Sequence, residues 1–211
     1  MSNIQVFPSC VALLGDLVDS RHSDRPAAHA ALVDAIEQAN AKVPQLDALR
    51  VTVGDELQGV YATMGDAFAA SFELRNILSG TTDIRFGLGG GEVRVVDADR
   101  GIQDGSAWIL AREAVESAEA ADSDAPGIRT AIRDSRDEAN PLTEPTSQLI
   151  DAELHRLGDG PRASLTALWD GLDNQSSAEA LGISPSANSQ RVRTNALRPL
   201  VAAMRGLAAL P

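Results

Sequence analysis

Val51-Thr52-Val53-Gly54-Asp55-Glu56-Leu57-Gln58-Gly59-Val60-Tyr61 consists of two apolar runs separated by Gly-Asp-Glu, which predicts a tight β-hairpin with acid at its tip. β-Branched and aromatic residues favour extended backbone, and Gly54 tolerates the positive φ that a short turn demands. A second Gly-Asp, Gly15-Asp16, follows the apolar run Cys10 to Leu14 at the end of another predicted strand. Two carboxylates at neighbouring strand ends can share a divalent cation, which takes hard oxygen ligands and offsets their mutual repulsion. Taken singly, each Gly-Asp is explained as simply by a turn.

Working outward from the hairpin, Val6 to Leu14 is a strand and Leu17 to Arg25 a polar loop, after which Pro26 opens a helix with apolar residues at Ala28, Ala31, Leu32, Ala35, Ile36 and Ala39. Arg50 to Val53 and Leu57 to Ala62 are the hairpin strands, and Gly65 to Leu78 is the next helix, stopped at Gly80. Ile84 to Leu88 is read as a fourth strand ending in Gly89-Gly90-Gly91, with Glu92 to Val96 extended again. The order β-α-β-β-α-β predicts an α+β, ferredoxin-like antiparallel sheet with both helices on one face. In that arrangement Asp16 and Asp55 become neighbours despite 39 residues of separation. A helix over Gly105 to Ala121 and an edge strand over Gly127 to Ile132 complete the sheet domain, placed at residues 1–145.

A connecting helix, Thr146 to Leu157, and the break Leu157-Gly158-Asp159-Gly160-Pro161 occupy 146–160, and 161–211 form an all-α domain. There Ala163 to Gly171 is a short helix, and Gln175 to Ser184 reads as the first helix and turn of a helix-turn-helix, with Ala178 packing closely and Gly182 making the turn. Pro185 to Met204 holds the second helix, and Ser186, Ala187, Ser189, Gln190, Arg191 and Arg193 are its candidate DNA contacts. Asn188 occupies a position usually apolar, which implies either a solvated side chain or a rotated helix. A small helical dimerisation module is the alternative.

The net charge of −12 argues against nucleic acid as a partner for the whole surface, but the charge is uneven. Residues 1–158 carry 26 acids and 13 bases, residues 159–211 carry 4 acids and 5 arginines, and no acid follows Ser186. With one cysteine, Cys10, no internal disulfide forms, and its apolar setting predicts a buried structural thiol. No apolar run approaches the ~18 residues needed to span a bilayer, and the N-terminus lacks signal-peptide character, so a cytoplasmic protein is expected.

Three stretches together resemble the class III nucleotide cyclase catalytic domain, a palm fold. Leu14-Gly15-Asp16-Leu17-Val18 is similar to its first-strand motif, Thr52-Val53-Gly54-Asp55 to its hairpin motif, and Arg85-Phe86-Gly87-Leu88-Gly89-Gly90-Gly91-Glu92-Val93 to its Arg-Ile-Gly-Ile-His-Thr-Gly-Glu-Val strand. Gly-Asp-Leu-Val-Asp-Ser-Arg at 15–21 and Ala-Arg-Glu-Ala at 111–114, with the helix-turn-helix tail, resemble the SatD family. The cyclase resemblance implies Mg²⁺ or Mn²⁺ on Asp16, Asp55 and the Leu17 carbonyl, with Asp19 and Glu56 supplementing it. It also implies a phosphate cup from the amides of Leu17, Val18, Asp19 and Ser20, beside Gly54. Arg21 and Arg25 are placed to take phosphate oxygens, or else to pair with Asp19 or Asp24.

The departures matter as much. The cyclase pattern has an Asn and an Arg four residues apart on the helix from Gly105; with the arginine at Arg112, Trp108 stands in place of the Asn. Its purine-selecting lysine falls at Val51, unless Arg50 substitutes. Trp108 either stacks on a base or belongs to the core. Metal and phosphate binding are thus retained while transition-state stabilisation is weakened. The expectation is a nucleotide- or second-messenger-binding bacterial regulator, a homodimer coupled to DNA. A working metal-dependent cyclase or nucleotidyltransferase, and a palm kept only as scaffold, are the rivals.

Overall fold

The structure, a computed structural model, describes residues 5–18, 25–52, 54–98, 100–121 and 124–211, without the side chains of 25 and 26. Its elements are β1 (Gln5–Val18), α1 (Arg25–Lys42), β2 (Asp47–Val51), β3 (Leu57–Tyr61), α2 (Met64–Ile77), β4 (Asp83–Asp97), β5 (Ile102–Asp104), α3 (Ser106–Ala121) and β6 (Thr130–Asp134). Five helices follow: α4 (Thr143–Arg156), α5 (Asp159–Trp169), α6 (Asn174–Ala180), α7 (Pro185–Thr194) and α8 (Leu197–Ala208). The sheet runs β2-β3-β1-β4-β5, antiparallel throughout, and β6 pairs parallel with β4. The predicted α+β class and β-α-β-β-α-β order are therefore found, followed by a helical tail.

The strand period of two sorts β1 between two cores. Val11, Leu13 and Leu17 join Leu57, Ile84, Phe86 and Leu88 against α1 and α2, while Cys10, Ala12 and Leu14 face α3 with Val60 and Val93. Asp16 continues this second series, so the acid at the end of β1 points to the α3 side. Cys10 is fully buried there, its thiol donates to the Gly91 carbonyl at 3.5 Å, and burial pushes its pKa up to about 11, as a structural thiol requires.

β4 corrects the reading of Gly89-Gly90-Gly91 as a strand end: one strand runs unbroken from Asp83 to Asp97. Gly87, Gly89 and Gly91 alternate on the α3 face, and a Cβ at Gly89 would lie 2.1 Å from the Ala107 carbonyl oxygen; one at Gly87 would lie as close to that of Ala111. The glycines admit the α3 backbone itself onto the strand, and Ala107, Ala111, Ala114 and Ala118 are small for the same reason. β1 also runs further than predicted. Leu17 and Val18 remain in register with Ile84 and Asp83, and the Leu17 side chain is buried, so neither opens a loop.

The tail lies against the α1/α2 side. Leu197, Val201, Met204 and Leu207 of α8 share one apolar cluster with Phe68, Phe72 and Leu74 of α2 and Ile150 and Leu154 of α4. Buried Glu73 accepts hydrogen bonds from Lys42 Nζ and from Trp169 Nε1, both at 2.8 Å, tying α1, α2 and α5 together. Arg75 pairs with the equally buried Asp151, whose other oxygen accepts the amides of Arg129 and Thr130. The lone lysine thus has a structural position.

One more expectation is corrected in the tail. α4 starts at Thr143 rather than Thr146, taking Pro145 into its first turn, where a missing N–H leaves no gap in the helix ladder. The stretch Pro185 to Met204, read as holding the second helix, holds it as α7 and also the start of α8, the two separated at Asn195 and Ala196, where Ala196 adopts φ +49°. The helix-turn-helix expectation for Gly182 and Ala178 holds, with φ +63° at the first and full burial of the second. Asn188 is not solvated. It is 1% exposed, and its amide nitrogen donates to Asn174 Oδ1 on α6 at 3.1 Å, while its own Oδ1 is buried with no partner among the described residues.

Candidate functional site: the acidic face beneath α3

The hairpin closes as its sequence implies. Thr52 N donates to the Glu56 carbonyl at 2.9 Å and Gly54 takes φ +69°, a conformation that glycine adopts without strain. This turn presents Asp55 and Glu56 beside the end of β1. Asp16 and Asp55 are within electrostatic reach: the Asp16 carboxyl is held above the usual carboxylate range, first by burial and then by the charge on Asp55. Glu119 and Glu56 act in the same direction, Arg85 opposes them, and Arg112 also lies within reach of the Asp16 charge. Arg85 Nη1 lies 3.5 Å from both Asp16 and Glu119, a divided interaction that neutralises neither carboxylate fully. Glu56 is engaged by Arg112 Nη1 at 2.6 Å.

Beside these acids α3, the hairpin and the β4–β5 turn enclose an open pocket of about 550 Å³. Leu14, Ile102 and Ile109 give it apolar wall, Glu56, Gln58, Gln103, Arg112 and Glu113 polar wall, and Trp108 an aromatic one. Trp108 Nε1 and Gln103 Oε1 are buried and have no hydrogen-bond partner among the described residues. One donor and one acceptor thus stand unused on the same pocket, and buried polar groups left so cost on the order of 1–3 kcal/mol each until something pairs with them. Trp108 also packs on the Cys10, Ala12 and Leu14 cluster, so it belongs to core and pocket at once.

Of the residues singled out from sequence, Asp16, Asp55, Glu56 and Arg112 come together here with Gly54 at the turn. Leu17 and Val18 are strand residues beside them. Asp19, Ser20 and Arg21, and the Arg25 side chain, lie outside the described residues. Arg50 is committed elsewhere, to Asp47 Oδ2 at 2.5 Å. On α7, Ser186, Ser189, Gln190 and Arg193 are exposed and Ala187 half-buried, whereas Arg191 turns back to the Gly160 carbonyl of α5 at 3.5 Å. Arg85, Glu119 and Gln103 were not anticipated. The first was legible, since it alternates with core-facing Ile84 and Phe86 and so shares the face of Asp16.

No group of three or more His, Cys, Asp or Glu side chains able to hold a metal ion occurs among the described residues. The donor set is two carboxylates, Asp16 and Asp55, the charge of the first disfavoured by burial and by the second, which fits a hard divalent cation completed by ligand oxygens and water rather than by an all-protein cage. None of the helices among the described residues is long and apolar enough to cross a membrane.

The chain is similar over part of its length to solved nucleotide cyclase domains. The guanylyl cyclase domain of the RhoGC fusion protein from the aquatic fungus Blastocladiella emersonii is 17% identical, with 54% of this chain and 78% of that one covered, at a TM-score of 0.41. A bacterial light-regulated adenylyl cyclase is 12% identical over 59% of this chain and 42% of its own, at 0.37. The regulator of polyketide synthase expression from Bifidobacterium adolescentis is 12% identical over 96% and 86%, at 0.31. No curated protein matches. The SatD family profile matches residues 10–153, well over half of the sequence, and the chain belongs to the SatD family.

Proposed function

We propose that this protein is a cytoplasmic regulator that binds a nucleotide or nucleotide second messenger with Mg²⁺ or Mn²⁺ on the α3 face of its palm domain, and that its tail binds DNA. The observation that carries this reading is the meeting of Asp16 with Asp55, whose charge disfavours that of Asp16, beside a pocket with an unused donor and acceptor. Asp16 and Asp55 hold the cation, whose remaining positions are filled by phosphate oxygens and water, and the cation offsets the repulsion between the two carboxylates. Trp108 offers a face to a base, and Gln103 Oε1 offers the base edge an acceptor. Phosphate contacts are proposed for Asp19, Ser20, Arg21 and Arg25, which follow β1 in the sequence, with Gly54 and Glu56 of the hairpin bordering them. Arg112, held by Glu56, orients the hairpin against α3.

Exposed Ile102 and Ile109 at the pocket rim support a homodimer that covers this face. In the tail, Ser186, Ser189, Gln190 and Arg193 supply the groove-facing surface, with Ala187 and Arg191 behind them. Calorimetry of a nucleotide panel with Mg²⁺ tests the sensor half: binding is expected for the wild type and a loss of about tenfold or more for Asp55→Ala. Binding that is absent, or unchanged in the variant, refutes it. Arg112 over the pocket supports a second reading, a working cyclase or nucleotidyltransferase; release of pyrophosphate from a triphosphate with Mn²⁺ identifies it, and a lack of release favours the sensor.

A further inference from the structure

Where β4 begins, at the same end of the sheet as Asp16, a second concavity opens beside the turn from α2 into β4. Two adjoining pockets of about 390 and 400 Å³ share Ser79, Gly80, Asp159 and Arg162. One wall is the turn from α2 into β4, which also supplies Thr81 and Thr82; the other is the junction of α4 with α5, reaching Leu181 at the end of α6.

Its cationic groups are only partly used. Arg75 is 8% exposed; it pairs with Asp151, yet its Nε is buried with no partner among the described residues. Arg162 donates to the Leu154 carbonyl at 2.7 Å and makes no ion pair among the described residues, with Asp83 and Asp159 acting on it at longer range. Of the acids nearby, Asp83 is held by Arg129 Nε at 2.6 Å and Asp151 by Arg75, while Asp159 is exposed at the start of α5. The hydroxyls of Ser79, Thr81 and Thr82 make no hydrogen bond to the described chain, and Gly80 turns the backbone there at φ +83°. Burial, and then the charge of Arg75, both disfavour the protonated form of Arg162, a stress that a bound anion relieves.

We propose that this groove binds a small phosphorylated metabolite, its phosphate on Arg162 and the Arg75 Nε and its oxygens shared by the Ser79, Thr81 and Thr82 hydroxyls. Guanidinium groups with adjacent hydroxyls match the several acceptor oxygens of a phosphate ester, and the recessed shape suits a small molecule rather than a polymer backbone. The groove joins α2 and β4 to α5 and the end of α6, so its ligand clamps the tail to the sheet. It does not depend on the reading of the acidic face.

The test is calorimetry and thermal unfolding of the full chain with ribose 5-phosphate and, separately, inorganic phosphate. Arg162→Gln and Thr81→Asp are compared with the wild type, and Asp55→Asn serves as control. Thr81 is exposed, so Thr81→Asp adds a repelling carboxylate at the mouth without removing packing if Arg162→Gln fails to fold. Saturable binding of the ester is expected, weakened about tenfold or more in each groove variant, as charged hydrogen bonds imply, and unchanged in Asp55→Asn. The proposal is overturned by a lack of ester binding, by binding of free phosphate alone, by binding indifferent to Thr81→Asp, or by loss in Asp55→Asn equal to that in the groove variants.

Discussion

On one face of the sheet Leu13, Leu57, Phe86 and Leu88 interlock with large side chains from α1 and α2; on the other, Gly87, Gly89 and Gly91 meet the alanines of α3 almost backbone to backbone. The first face is held by apolar area, about 25 cal/mol for each Å² removed from water, and it also carries the tail. The second buries little per residue. It places α3 by steric exclusion, and the position of Trp108 and Arg112 over the hairpin acids follows from that close seat. A helix spaced by large side chains can shift by an ångström as they change rotamer; one resting on glycine has no such slack.

The largest expected effect breaks the first face. Phe86→Ala removes a fully buried ring and should destabilise by about 3–5 kcal/mol, read from the urea midpoint. Where the variant remains folded, its nucleotide affinity should be close to that of the wild type, because the ring lies on the side away from the acids. Gly89→Ala attacks the other face with one methyl group. Its Cβ overlaps the Ala107 carbonyl, so α3 must lift, at about 1–3 kcal/mol or more. Unlike Phe86→Ala, it should lower nucleotide affinity out of proportion to its effect on stability. Equal affinity losses in the two variants would remove the distinction between the faces.

A smaller effect concerns pH. Burial and Asp55 raise the pKa of Asp16, so the folded chain holds that proton more tightly than the unfolded chain does. Between the ordinary aspartate value, about 3.9, and the raised one, this group's contribution falls as pH rises, and it stays unfavourable above. Asp16→Asn should therefore raise Tm at neutral pH in metal-free buffer, with no gain below about pH 3.9, where both forms are neutral. Added Mg²⁺ and nucleotide should stabilise the wild type and not the variant. The smallest change in stability is expected for exposed Arg193→Ala, within about 0.5 kcal/mol. If α7 meets DNA, the same variant should lower the salt dependence of binding by about one unit of slope.

The hairpin and the pairing of Asp16 with Asp55 were legible because turn glycine, strand period and element order are local signals that agree. The glycine run of β4 was misread because glycine marks both a chain stop and a close approach, and only the alanines of α3, more than fifteen residues on, decide between them. Gln103 carried no signal at all: its unsatisfied oxygen exists only once the short strand β5 lies against Asp97 and Val95. The break at Ala196 was hidden because alanine is a strong helix former, and the apolar pattern resumes at Leu197 on the far side. Asn188 drew attention as a misfit, but its partner Asn174 stands fourteen residues earlier, on a helix whose packing angle the sequence does not specify.

The most direct measurement of the central claim is a crystal soaked with nucleotide and Mn²⁺, read by the anomalous signal of the metal. The α3-face account predicts a peak between the Asp16 and Asp55 carboxylates, with the base in the pocket beside Trp108 and Gln103. A peak elsewhere, or Asp16 and Asp55 pointing apart with no metal between them, contradicts it.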